Sequence, residues 1–148
     1  MPSPILAPVV ALVLWTLVIM LWMYLTRIPA MRAAGIQFKG LVGSKGSDLD
    51  RVVPGPVQWK AHNYNHLMEQ PTLFYALCLA LAVAGLGDGL NATLAWGYVG
   101  LRVLHSLIQA TVNVVRWRFL TFAAASIVLI VLAVRAGMAL LLGPLLLS

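Results

Sequence analysis

The chain has 148 residues, of which 61% are hydrophobic and only 9% are charged. In soluble globular domains about a quarter of the residues are charged, so this composition excludes a soluble domain and predicts an integral membrane protein. A net charge of +6 would suggest nucleic-acid binding in a soluble protein. In a membrane protein the cations divide between loops according to topology, so we expect lipids as partners and no nucleic acid.

Four apolar runs account for nearly all of the sequence. They cover residues 5–25, 72–86, 90–107 and 119–147, and each can be extended to the roughly 20 residues that span a bilayer. The sequence therefore predicts a single all-α domain over residues 1–148. Its four-helix transmembrane bundle has helices at about residues 5–27, 57–85, 91–115 and 118–143.

Two prolines are expected to shape the first two helices. Pro29 should disturb or end the first helix, since proline removes a backbone donor. Pro71 falls inside the second helix, where a membrane helix tolerates proline if neighbours re-satisfy the backbone. We expect a kink there, just after Glu69.

The predicted loop at about residues 28–56 is rich in glycine, and six of the ten lysine and arginine residues lie in it or close to its ends: Arg27, Arg32, Lys39, Lys45, Arg51 and Lys60. Arg116 and Arg118 lie in the short connection before the fourth helix, whereas the connection before the third carries only Asp88. The positive-inside rule places basic loops in the cytoplasm. The sequence therefore predicts a multi-pass protein with both termini outside and both basic loops cytoplasmic.

Each of two otherwise apolar helices carries one stripe of polar side chains at steps of three and four residues, which return to one helix face. Polar groups inside a membrane avoid lipid and mark candidate sites, so the two stripes are expected to face each other. They comprise His62, Asn65, His66 and Glu69 in the second helix, and Arg102, His105, Gln109, Asn113 and Arg116 in the third.

Glu69 and Arg102 lie at similar depths in the two predicted helices, about 20 Å from their cytoplasmic ends at 1.5 Å per residue. Because neither charge would stay unpaired in hydrocarbon, we predict an ion pair between them. The residues alone leave open whether this pair only fixes helix register or also contacts a ligand.

The histidines give little support for a metal site. His62 and His66 have the i, i+4 spacing of zinc-binding helices, but the HExxH pattern is absent, and we expect no metal. The lone Cys78 indicates packing. Arg118, at the rim of the polar face, is a cation that can stabilise an anion such as a thiolate.

The motifs "NHLMEQPTLFYAL" at residues 65–77 and "AWGYVGLRVLHSLIQATVNVVRWRF" at residues 95–119 resemble the MAPEG family, the membrane-associated proteins of eicosanoid and glutathione metabolism. The resemblance implies a bacterial-type member in an inner membrane, assembled as a homotrimer. It also implies that glutathione, the co-substrate, lies in a cytoplasm-facing cleft between subunits and reacts with lipophilic electrophiles.

The resemblance implies roles for several residues. Glu69 would hold the amino end of glutathione, and Arg102 would be its buried partner. His105 would line the ligand wall, and Arg118 would hold the glutathione sulfur as a thiolate. Arg32, near the end of the first helix, would bind a glutathione carboxylate.

The chain also departs from the family pattern. The family asparagine that contacts glutathione corresponds to either Asn65 or His66, and Gln109 stands where many relatives have tyrosine. Phe119 and Phe122 replace residues that are often serine and tyrosine. Since phenylalanine offers no hydroxyl donor, thiolate stabilisation would depend mostly on Arg118.

Three functions follow as hypotheses. The leading one is a glutathione-dependent transferase or peroxidase acting on lipophilic electrophiles, with Arg118 as the catalytic residue and Asn65, His66, Glu69, His105, Gln109 and Arg32 as binding residues. The alternative is a non-catalytic protein of the same fold that binds a small anionic or lipidic ligand. A small transporter or proton relay using Glu69, Arg102 and His105 is the third.

Overall fold

The computed structural model describes residues 1–36 and 42–142. Within those ranges the regular elements are all helical, as the composition predicts. The five α-helices are α1 (Leu6–Ala33), α2 (Gly55–Leu67), α3 (Pro71–Val83), α4 (Gly89–Ala110) and α5 (Val115–Gly137). A 3-10 helix at Gly46–Arg51 lies between α1 and α2, and a π-helical turn at Met138–Leu142 follows α5.

Helix α1 continues through Pro29 to Ala33, so the predicted end near residue 27 is wrong. Proline removes one backbone donor, a loss that a long membrane helix tolerates. Of the predicted loop at residues 28–56, the first part is therefore helical, and residues 37–41 lie outside the described ranges. The predicted end of the fourth helix at residue 143 also lies outside them.

The second predicted helix is divided where Pro71 indicates a kink. Helix α2 ends at Leu67 and α3 begins at Pro71, with a turn over the three residues between them. The N–H of Met68 still donates to the carbonyl oxygens of Tyr64 and Asn65, but among the described residues the carbonyl oxygen of His66 has no backbone N–H partner, as is usual for carbonyl groups at a helix end. This break lies beside the polar residues of α4 and shapes the candidate site.

Helix α4 is shorter than predicted, because it ends at Ala110 instead of residue 115. Asn113 has a φ of 52°, and its N–H donates to the carbonyl oxygen of Ile108 at 2.7 Å. Asparagine is among the few residues that adopt this left-handed conformation readily. The chain thus reverses direction here, and α5 begins two residues later at Val115.

Three segments in the described part of the chain are long and apolar enough to cross a membrane: Leu6–Ala33, Gly55–Val83 and Val115–Leu142. Helix α4 has 22 residues, which is also a spanning length, but it carries several polar side chains. It packs against α1, α2 and α5, and α3 packs against α1 and α5. That α4 is a fourth span remains a prediction.

The apolar core joins all the long helices. Phe74 of α3 stacks on Tyr98 of α4 with ring centres 4.5 Å apart, and Cys78 is fully buried in the same core, in the packing role expected for it. Gln70 donates to Ser126 Oγ at 2.8 Å and accepts from the Tyr98 hydroxyl at 3.2 Å. The break between α2 and α3 is thereby tied to both α4 and α5.

The amino-terminal residues are fixed to the connection between α3 and α4. The N–H of Ile5 donates to the carbonyl oxygen of Gly87 at 2.9 Å. A Cβ atom at Gly87 would lie 2.6 Å from Ile5 Cγ2 and would also overlap Ser3 Oγ. Glycine is therefore required for this close approach of two backbone segments.

Candidate functional site

A cavity of about 260 Å³ lies where α4 and α5 meet the end of α2. We call it the Arg118 cavity. It is smaller than the 300–1,000 Å³ typical of ligand sites. Its walls combine one cation, two imidazoles and an apolar surface, formed by His66, His105, Val115, Arg118, Phe119 and Phe122.

The Arg118 guanidinium is held from one side. Its Nη1 donates to Asn113 Oδ1 at 2.7 Å, so the left-handed turn that ends α4 also positions the arginine. Its Nε is buried, and within residues 1–36 and 42–142 it has no hydrogen-bond partner. This guanidinium is therefore oriented by the fold while part of its donor capacity stays unused.

His105 has a defined orientation beside Arg118. Its Nδ1 lies 2.9 Å from the backbone carbonyl oxygen of Arg118 and 3.2 Å from Thr121 Oγ1. Because a carbonyl oxygen only accepts, Nδ1 carries the hydrogen. In the neutral ring Nε2 is then an acceptor, and this buried atom has no partner among the described residues.

His66 lies between Glu69 and Arg102, the two residues for which the sequence predicts a direct ion pair. Its Nδ1 donates to Glu69 Oε2 at 3.0 Å. On the other side, Arg102 Nη2 donates to the His66 carbonyl oxygen at 2.9 Å, and Arg102 Nη1 lies 3.5 Å from His66 Nε2. The order of contacts is therefore Glu69, His66, Arg102.

The predicted direct ion pair between Glu69 and Arg102 is not formed within this chain. Among the described residues, the ion-pair partner of Glu69 is His66. The reason is the helix break. Glu69 lies in the turn between α2 and α3, and its side chain is 68% exposed, whereas Arg102 is completely buried. Helical spacing no longer determines which way Glu69 points.

The polar stripe of α4 is buried as predicted, but only over part of its length. Arg102, His105 and Gln109 are 0, 2 and 4% exposed, and Gln109 Oε1 is a buried acceptor without a partner among the described residues. Asn113 and Arg116 do not belong to the stripe, because α4 ends before them. Arg116 is exposed on α5 and lies over the Trp117 ring.

The polar stripe of α2 does not face α4 as a unit. His62, Asn65 and Glu69 are exposed in the single chain, and only His66 reaches the Arg118 cavity. The contact with α4 is instead made by Asn63, whose Nδ2 donates to Ser106 Oγ at 2.6 Å. Both of these residues are fully buried.

Asn65 lines a second cavity of about 370 Å³, between α2 and the loop that precedes it. We call it the loop-side cavity. Its other walls are Arg27, Gly46, Ser47, Asp50, Ala61 and His62. Asp50 Oδ1 accepts hydrogen bonds from Gln58 Nε2 at 2.8 Å and from His62 Nε2 at 2.9 Å, which fixes the 3-10 helix to α2.

The residues that were predicted to bind glutathione therefore lie in separate parts of the structure. His66, His105 and Arg118 share one cavity, Asn65 lines another, and Arg32 is exposed in the last turn of α1. The two histidines considered for a metal lie in different cavities. Across residues 1–36 and 42–142, no group of three or more His, Cys, Asp or Glu side chains is arranged to hold a metal ion.

Several contacts were not predicted from the sequence. Phe122 packs against His66 and His105 with ring centres 5.1 and 5.9 Å apart, and the Arg102 guanidinium carbon lies 5.6 Å from its ring centre. The pair Asn63 and Ser106 was also missed. Asn63 lies within the candidate membrane span Gly55–Val83, and Ser106 lies next to His105 of the buried stripe on α4. A polar side chain in such a position is the signal that could have identified them.

Apolar segments of spanning length, packed around an apolar core with several buried polar side chains, define an α-helical membrane protein. The sequence model of the MAPEG family matches residues 5–138, and the chain belongs to this family. The family includes glutathione-dependent transferases and peroxidases as well as non-catalytic members, and its proteins are generally oligomeric. Comparison with curated proteins and with solved structures gives no match.

Proposed function

We propose that the chain is a glutathione-dependent membrane enzyme, a transferase or peroxidase, in which Arg118 stabilises the glutathione thiolate. The observation that supports this most directly is the Arg118 guanidinium, oriented by Asn113 and exposed to a cavity walled by imidazole and phenyl rings. A preorganised cation in a site of low polarity stabilises a developing anion far better than water does. The thiolate, not the thiol, is the reactive nucleophile.

In the transferase reaction the glutathione thiol would lose its proton to solvent water, and the thiolate would attack an electrophilic carbon. A carbon–sulfur bond would form, and the leaving group would depart as an anion with the electron pair of the bond that breaks. Arg118 would stabilise the sulfur before attack. Phe119 and Phe122 would provide an apolar wall for a lipophilic electrophile. Phe119 is 66% exposed, which is consistent with entry of that substrate from the lipid.

The rest of glutathione would be held across a subunit boundary in a homotrimer. Asn65 and Glu69 are exposed in the single chain, and neither lines the Arg118 cavity. A neighbouring copy would bring its own Arg118 cavity against this exposed face of α2, which would complete a site for the tripeptide. In this arrangement Asn65 and His66 would contact different parts of the bound glutathione, so neither alone would take the role of the family asparagine.

For the membrane topology we propose four spans, including α4, with both termini outside and the basic loops in the cytoplasm. The support is the distribution of arginine and lysine, since the positive-inside rule depends on these residues. Glutathione would then enter from the cytoplasm. A bacterial inner membrane is the location that fits the resemblance.

The test compares Arg118→Ala with Arg116→Ala in the purified protein. Both variants remove one arginine near the start of α5, but Arg116 is exposed and does not line the Arg118 cavity. We expect Arg118→Ala to reduce conjugation of glutathione to chlorodinitrobenzene, and reduction of a lipid-soluble hydroperoxide, by at least a hundredfold. Removing one donor that stabilises a developing anion costs about that much.

Arg116→Ala should keep full activity, and both variants should elute as the same oligomer. Full activity in Arg118→Ala would remove this residue from the mechanism. Glutathione binding should be measured in the same proteins and in Glu69→Gln. Absence of binding in every form, including the unaltered chain, would contradict the proposed function as a whole.

The second candidate function is glutathione or anion binding without catalysis. The observation that favours it is that Phe119 and Phe122 occupy the cavity wall where hydroxyl donors would assist the sulfur. Glutathione would then raise the unfolding temperature through binding to the native state, with no turnover of any electrophile. Measured turnover above the uncatalysed rate would exclude this candidate.

A further inference from the structure

We propose that the cavity between the carboxyl-terminal part of α1 and the loop before α2 binds the head group of an anionic phospholipid from the surrounding membrane. We call it the head-group cavity. It has a volume of about 470 Å³, within the range of ligand sites. It is lined by Tyr24, Arg27, Ile28, Met31, Gly43, Ser44, Lys45, Gly46 and Leu49, so it has no residue in common with the Arg118 cavity.

The charges of the head-group cavity favour an anion. Arg27 and Lys45 are its two charged side chains, and the described lining includes no acidic residue. Asp48 is close in sequence, but its Oδ2 accepts from the backbone N–H of Lys45 at 2.7 Å, within the first turn of the 3-10 helix. Arginine and lysine together are the side chains that recognise phosphate.

Arg27 is held in place by the loop. Its Nη2 donates to the carbonyl oxygen of Gly46 at 2.6 Å, and its Nε is a buried donor with no partner in the described part of the chain. The guanidinium is therefore fixed at the wall of the cavity. A fixed cation requires less ordering on binding than a free side chain, which favours a specific site over a diffuse basic surface.

The position and the apolar lining favour a membrane lipid as the source of the anion. Arg27 lies about 9 Å from the end of α1 at 1.5 Å per residue, the level at which a spanning helix leaves the hydrocarbon. On the same helix Leu21 and Leu25 are 56 and 75% exposed. An acyl chain can lie along this face while Ile28, Met31 and Leu49 contact the glycerol region.

Basic pockets at the cytoplasmic ends of membrane helices commonly bind anionic lipids in this way. The lipid would connect α1 to the loop through Arg27 and Lys45. Because Arg27 and Gly46 also line the loop-side cavity that contains Asn65, a bound lipid would fix one wall of that cavity. The inference does not depend on the glutathione chemistry.

The experiment measures binding of dioleoylphosphatidylglycerol and dioleoylphosphatidylcholine to the purified full chain by native mass spectrometry. The two lipids share their acyl chains and differ in net charge. We expect at least tenfold preference for phosphatidylglycerol in the unaltered protein. Arg27→Gln and Lys45→Gln should each reduce that preference several-fold, whereas Arg51→Gln, an exposed arginine of the same loop outside the head-group cavity, should retain it.

Three results would overturn the inference. One is equal binding of the two lipids; another is an equal loss in Arg51→Gln, which would indicate only general attraction to a basic loop. The third is full competition by soluble glycerol phosphate or by oleate, which would assign the cavity to a free anion or a fatty acid. Arg27→Lys retains the charge and should keep most of the preference, so a folding defect in Arg27→Gln leaves the test intact.

Discussion

Arg102 and His66 are joined by a hydrogen bond of 2.9 Å from the guanidinium Nη2 to the backbone carbonyl oxygen of His66. The carbonyl lies in the last turn of α2, where the break before Pro71 leaves it without a backbone N–H partner among the described residues. In the apolar interior an unsatisfied carbonyl is costly. Arg102 thus compensates for the irregular backbone that brings His66 to the Arg118 cavity.

This relationship predicts that Arg102→Met lowers the free energy of unfolding by about 1–3 kcal/mol, the cost of a buried acceptor left unpaired. Thermal unfolding of the detergent-solubilised protein measures the effect, with the exposed Arg116→Met as the control. Adding Pro71→Ala should reduce the cost, because a continuous helix lets the N–H of Gln70 reach the His66 carbonyl. Strictly additive effects of the two substitutions would contradict this coupling.

Asn113 is predicted to act as a positioning residue for Arg118. Asn113→Gly removes the Oδ1 acceptor but suits the left-handed backbone at φ 52°, so the fold should be retained. If the proposed function holds, kcat should fall about tenfold, or about 1.4 kcal/mol, because the guanidinium loses its orientation. Asn113→Asp, which keeps an acceptor, should restore most of the rate. Equal rates in all three proteins would show that this hydrogen bond is irrelevant to turnover.

Gly87 is predicted to be essential for docking of the amino-terminal residues. In Gly87→Ala the new Cβ would overlap Ser3 and Ile5, so either the turn or the terminus must move. We expect destabilisation of about 1–3 kcal/mol from overpacking, measured as a lower unfolding temperature. Gly97→Ala is the matched control, since nothing lies within 4 Å of a Cβ there and alanine favours a helix. Similar unfolding temperatures for the two variants would refute the docking argument.

Phe119 offers a gain-of-function prediction that rests on the proposed chemistry. Phe119→Ser introduces a hydroxyl at the wall of the Arg118 cavity, where it can donate a hydrogen bond to the thiolate. We expect the rate of glutathione conjugation to rise several-fold. Phe119→Ala removes the ring without adding a donor, so it separates the effect of the hydrogen bond from the effect of easier substrate access to the Arg118 cavity. A rise of the same size in both variants would attribute the effect to access alone.

Periodicity and charge predicted the helical class, an irregularity near Pro71 and the inward face of Arg102, His105 and Gln109, although the second helix was predicted to be kinked and is instead divided into α2 and α3. Each of these features follows from the sequence of a single helix, without knowledge of which helices pack together. The direct Glu69–Arg102 pair was mispredicted because Glu69 lies in a turn, where helical spacing ceases to apply. The end of α4 at Ala110 was missed because the left-handed Asn113 is a single residue in an otherwise helix-compatible stretch.

Contacts between distant elements were beyond the sequence pattern for a different reason. The hydrogen bond from Arg27 to the carbonyl oxygen of Gly46 depends on how the loop before α2 folds back against α1. The same is true of the hydrogen bonds that Asp50 accepts from Gln58 and His62 of α2. Glycine-rich segments leave many such paths open, since glycine restricts the backbone least. The roles proposed for Asn65 and Glu69 likewise depend on the proposed contact with a neighbouring copy of the chain.

The Phe122 ring lies against the Arg102 guanidinium on one side of the Arg118 cavity, and Arg102 is not part of the cavity wall. A ligand in this cavity would contact the Arg118 guanidinium directly, whereas the Phe122 ring would lie between the ligand and the Arg102 guanidinium. Such a field matches a singly charged anion with a diffuse charge and disfavours a compact dianion such as phosphate, which needs several donors. We therefore expect the group that binds in this cavity to carry a single negative charge, as a thiolate does.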